Sequence, residues 1–86
     1  MEKIVGILKF NNNCNSYGLA KPNGAWQHPE GLAWYTFDRL NCGTTMQVKV
    51  GNKWVATRLE QDGQAWYLVG TNFYKDLEGI EARINY

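Results

Sequence analysis

One histidine, two cysteines and two prolines are all that these 86 residues contain of those types, and no apolar run approaches a membrane span, which needs about 18 residues. Each shortage excludes a class of function. His28 stands beside Pro29, and no geometry fixes the nearby Glu30 carboxylate as its orienting partner, so general acid–base catalysis has no constellation to rest on. Cys14, His28 and Cys42 are far apart and number one fewer than the four closely spaced ligands of a structural zinc site. The glycines at 18, 24 and 31 fall in turns and not ahead of a helix, which excludes a phosphate loop. The expectation is therefore no catalysis, no cofactor and no metal.

Charge is also scarce. The formal net charge is +1, which argues against a polybasic nucleic-acid arm and against a membrane-surface patch. The opening MEKIVGILKF is too short and too polar for an export signal or a span. A cytoplasmic location with Cys14 and Cys42 as reduced thiols is expected, and Cys42, ahead of Gly43, reads as a small buried hydrophobe. Helical periodicity is missing throughout. There is no internal repeat and no low-complexity linker.

Aromatic residues are what the chain does have, with four Trp, five Tyr and three Phe. Apolar residues make up 44% against 20% charged, a balance that folds rather than stays disordered. The length suits one domain, 1–86, with one core.

The stretch 44–70 reads as three alternating strands joined by Gly51-Asn52 and Asp62-Gly63, dipeptides that suit two-residue hairpin turns. Counting outward from the first turn pairs Val50 with Lys53, Lys49 with Trp54, Val48 with Val55 and Thr45 with Arg58. Counting from the second pairs Leu59 with Trp66 and Arg58 with Tyr67. Since successive side chains alternate between faces, Met46, Val48, Val50, Val55, Leu59, Trp66 and Leu68 form an inner face. Thr45, Gln47, Lys49, Trp54, Arg58, Glu60, Tyr67 and Val69 form an outer one. A slip of one residue would bury Lys49, Arg58 and Glu60, which opposes it.

Around this meander, 3–10 reads as a covered strand, 16–21 as a short strand after the Asn11–Asn13 turn, and 71–79 as an irregular turn or short helix. IEARINY (80–86) reads as an alternating strand with Ile80, Ala82, Ile84 and Tyr86 on one side. Residues 25–37 form an aromatic insertion in which LAWYTF could be a strand. The whole is expected to be all-β, an SH3-like or related curled-sheet barrel with a central antiparallel meander.

The outer face carries the functional expectation. Trp54, Tyr67, Lys49 and Arg58 would form a cluster of the residue types that dominate interfaces, with Trp26, Trp34 and Tyr35 of the insertion as further contacts. The competing reading makes them ordinary cross-strand pairs. A protein partner ranks first. Single-stranded nucleic acid ranks second, because small β-barrels combine aromatic stacking with phosphate contact. Self-association through an unpaired edge at 80–86 is the third.

The segments SYGL, LNCG, GNKWVATRLE, WYLVG and LEGIEARI, in that order, resemble a family of small proteins of unknown function from Firmicutes and their mobile elements. The resemblance covers most of the chain and departs from the family pattern at 25–37. It implies a compact β domain of bacterial or phage origin. By class-level analogy it also suggests an accessory protein that inhibits a host defence enzyme, anti-CRISPR proteins being one example.

Overall fold

The computed structural model describes residues 3–29 and 36–85. The strands are β1 (Lys3–Asn11), β2 (Ser16–Ala20), β3 (Thr45–Val50), β4 (Lys53–Gln61), β5 (Trp66–Leu68) and β6 (Glu81–Asn85). They form a six-stranded sheet in the order β2-β1-β6-β3-β4-β5, with every pairing antiparallel. No helix occurs among the described residues, and 71–79 is a run of turns. The all-β expectation and the central meander hold.

The β3–β4 hairpin has the register counted from the sequence, from Val50↔Lys53 to Thr45↔Arg58. Gly51 takes φ +61°, the left-handed value that a two-residue turn with glycine first requires. The second hairpin is different. Its pairs are Leu59↔Leu68, Glu60↔Tyr67 and Gln61↔Trp66, so the loop spans four residues, Asp62 to Ala65, instead of two. The cause is the Asp62 side chain. Its Oδ1 accepts the backbone N–H groups of Gln64 and Ala65, both at 2.9 Å, a local capping that competes with the tight turn. Arg58 therefore does not oppose Tyr67. A shift of two residues preserves parity, so every side chain stays on its expected face.

The sheet is open, with β2 and β5 as its edges, yet it curls strongly. A flat sheet would hold those edges five spacings apart, roughly 24 Å. Instead the Trp66 indole Nε1 on β5 donates to the Asn15 carbonyl beside β2 at 3.2 Å. Inside the curl lie Leu8, Leu19, Val48, Leu59, Leu68 and Leu77, all but fully buried, packed with Tyr17, Phe37, Leu40, Met46, Ala82 and Ile84. Each such leucine contributes about 1.5–3 kcal/mol on burial. The Tyr17 hydroxyl accepts the Leu77 N–H at 3.1 Å, and burial pushes its pKa up.

Irregular chain covers the β2 edge. Leu19 N donates to Phe37 O, Leu40 N to Tyr17 O and Gln27 N to Leu19 O. This backbone passes so close that a Cβ on Gly18 would sit 2.6 Å from the Phe37 carbonyl oxygen. On the β5 edge, Leu68 N and Lys75 N donate to Phe73 O and Trp66 O.

Three expectations need correction. Val50, assigned to the core, is 42% exposed, because it lies at the hairpin tip, where it lines an open hollow with Val55 and the 70–73 loop. Residues 80–86 are not an unpaired edge: β6 is hydrogen-bonded on both sides, to β1 and β3. Cys42 is exposed and not a buried hydrophobe. Of the segment read as LAWYTF, Leu32–Tyr35 lie outside the described residues, as do Glu30 and Gly31. Phe37 is buried in the core without strand structure.

Candidate partner-binding face

Alternation along each strand sends Met46, Val48, Leu59, Ala82 and Ile84 inward and leaves the opposite side chains on an outer face. The pairings align these outward residues across four strands. Val5, Arg83, Gln47 and Ala56 make one row, and Lys3, Asn85, Thr45 and Arg58 the next. Much of this surface is open: Val5 is 47% exposed, and Lys3, Thr45, Ala56, Arg58 and Asn85 are exposed too.

Trp54 organises the centre. The Lys49 ammonium lies 5.2 Å from the ring centroid in cation–π geometry, as expected for directly opposed residues. The Arg83 guanidinium carbon is closer, 4.3 Å from the same centroid, although Arg83 stands two strands away. Trp54 must therefore extend across β3 towards β6. Arg83 is fixed a second time, because its Nε donates to Gln47 Oε1 at 2.6 Å. Such cation–π contacts contribute about 0.5–1 kcal/mol each at exposed sites.

The expected cluster is divided by this geometry. Lys49 and Trp54 meet as expected. Arg58, four residues further along β4 and about 13 Å away, pairs instead with Glu60 at 2.8 Å. Glu60 also accepts from Cys42 Sγ at 3.2 Å. The Cys42 hydrogen bond, with that from Arg58, holds the Glu60 carboxyl below the usual range, and the same carboxylate pushes the Cys42 thiol up. Tyr67 packs against Tyr74 with ring centroids 6.0 Å apart, and the Tyr74 hydroxyl donates to Asp62 Oδ2 at 2.7 Å.

Trp26 does not join Trp54. It bridges to Ala20, the last residue of β2, where Lys9 lies 5.1 Å from its ring centroid and donates to the Gly24 carbonyl. Trp34 and Tyr35 lie outside the described residues. His28 is exposed, and its Nδ1 faces the Pro29 carbonyl at 3.3 Å. Cys14 and Cys42 are free thiols on one cleft, which Trp66 and Arg39 also line. Arg83 is the residue that sequence reasoning missed. Alternation in IEARINY already places it opposite Ala82 and Ile84, but which strand β6 would join is not a local property.

Beside Arg83 the face forms a shallow hollow of about 250 Å³, lined among the described residues by Lys3, Thr45, Met46, Gln47, Arg83 and Asn85, none of them a carboxylate. Among the described residues no group of three or more His, Cys, Asp or Glu side chains is arranged to hold a metal. No helix among them is long and apolar enough to cross a membrane.

Comparison with curated proteins and with solved structures returns no match. A family model does match, over residues 6–84, which takes in β2 to β5 entirely and most of β1 and β6. The chain belongs to the family described as a domain of unknown function, DUF5348.

Proposed function

We propose that this chain is a non-catalytic binding module that docks a partner protein on its outer sheet face. The observation that carries the reading is the convergence of Lys49 and Arg83 on Trp54, with Arg83 also held by Gln47. Trp and Arg, set together at the centre of an exposed surface, are the side chains from which interfaces draw most of their energy. The inner face needs neither residue, since its core is complete without them.

In the setting suggested by the resemblance to mobile-element proteins, the partner is a host enzyme in a bacterial cytoplasm and the chain acts as its inhibitor. The experiment is paired capture from such a host with nuclease treatment, using the wild-type chain and Trp54→Ala side by side. A protein held by the wild type and lost with Trp54→Ala, at near-equal thermal stability, supports the reading. Equal capture by both removes the outer face from consideration. Capture that vanishes with nuclease transfers the function to nucleic acid.

A further inference from the structure

Resting on that reading of the outer face, we infer that the part of the partner seated there is an acidic peptide segment, its carboxylates entering the hollow beside Arg83. Arg83 uses Nε on Gln47, and its guanidinium is held over the Trp54 ring. No other hydrogen bond reaches the guanidinium among the described residues, so its two terminal amino groups form an unused fork of fixed orientation. A fork of that kind matches the two oxygens of a carboxylate.

The neighbouring groups are also donors. Among the described residues no carboxylate pairs with Lys3 or Lys49, the ion pair there being Arg58–Glu60. Among the described residues the Trp54 indole N–H has no protein acceptor, and no buried side-chain nitrogen or oxygen there lacks a hydrogen bond, so this N–H is not buried. Over the whole outer face Lys3, Lys9, Lys49, Arg58 and Arg83 stand against Glu60 and Glu81, whereas the chain as a whole is only +1. Positive charge is thus concentrated on the side of the sheet that the core does not use.

Two observations favour carboxylates over a nucleic-acid strand. The aromatic rings of this face are already engaged, Trp54 by two cations and Tyr67 by Tyr74, which leaves bases poor stacking platforms. Glu81 on β6 and Glu60 on β4 also lie on this face, and a polyanion long enough to span it would run close to both. A short acidic segment in the hollow meets neither.

The test titrates the isotopically labelled chain at low ionic strength with three probes: a capped Asp/Glu decapeptide, its Asn/Gln counterpart, and single-stranded DNA of equal charge. The side-chain resonances of Arg83 Nε–H and Trp54 Nε1–H are followed. The acidic peptide is expected to shift both and to saturate, at least about tenfold tighter than the neutral peptide, the equivalent of one charge-assisted hydrogen bond. Added salt should weaken it. Arg83→Lys keeps the charge but removes the fork and should lose most of that margin, and the exposed Lys3→Gln should weaken binding with no effect on folding. The inference is overturned if the acidic peptide leaves both resonances unmoved, if Arg83→Lys binds as well as wild type, or if the DNA binds more tightly at the same residues. Overturned in the first or second way, it leaves Trp54-dependent capture of a partner standing, so the two readings fail separately.

Discussion

The indole Nε1 of Trp66 donates to the backbone carbonyl of Asn15 at 3.2 Å, and this bond joins the two ends of a six-stranded sheet. It is the direct sign that the sheet curls without closing. Trp66→Phe keeps an aromatic ring, smaller than the indole, and removes the donor. The expected loss is about 1 kcal/mol in chemical denaturation. Hydrogen exchange should accelerate at the β5 amides and stay unchanged where β6 pairs with β1, because the seam opens before the sheet does.

Tyr17 anchors the cover of the core. Its buried hydroxyl accepts the N–H of Leu77, itself fully buried. Tyr17→Phe would leave that N–H without a partner, at a cost of about 1–3 kcal/mol. Thermal unfolding measures it, and a loss well under 0.5 kcal/mol, the scatter of ordinary surface substitutions, would contradict the assignment.

Asp62 makes part of the stability depend on pH. The Tyr74 hydroxyl first, then the Gln64 and Ala65 N–H groups, hold its carboxyl below the usual aspartate value. A depressed folded pKa means that the contribution is fully present above the unfolded value of about 3.9 and is lost as pH falls through the lower folded value. Stability curves at pH 2–6 should therefore fall more steeply on acidification for wild type than for Asp62→Asn. Parallel curves would show that the Tyr74 contact has no energetic weight.

Cys42 should be a sluggish thiol despite its exposure. Its hydrogen bond to the Glu60 carboxylate raises its pKa, and the thiolate is the reactive form. Glu60→Gln removes the negative charge, so the pH profile of Cys42 alkylation should move to lower pH. Cys14→Ser as background isolates the signal.

How much of this was legible depended on the range over which each feature is decided. Gly51-Asn52 is a local instruction, and the whole β3–β4 register follows from it. Asp62-Gly63 is local too, but the capping by the Asp62 carboxylate is a competing use of the same residue, and it lengthened the loop by two. The error left the face assignments intact because the side-chain period of a strand is two. Val50 had the right parity and the wrong environment: facing inward does not bury a residue at a hairpin tip. The same lengthened loop moved Tyr67 from Arg58 to Glu60, whereas the gap between Arg58 and Trp54 is simply four residues of β4, a distance that sorting by face alone does not register. Arg83 could not be attached to Trp54 from sequence, since their proximity depends on β6 lying beside β3, a pairing between segments distant in the chain.

That placement of β6 has a consequence for how the molecule assembles. The pairs β1–β2, β3–β4 and β4–β5 each join neighbours in sequence, so both halves of the sheet can form by closing short loops. Neither half can reach the other until residues 81–85 slot between β1 and β3, where Ile84 meets Ile4 from almost the opposite end of the chain. Long-range closure of this kind slows folding. Until it happens, β1 and β3 each present an uncovered row of amides and carbonyls, which makes that interval the point of greatest exposure to misassembly.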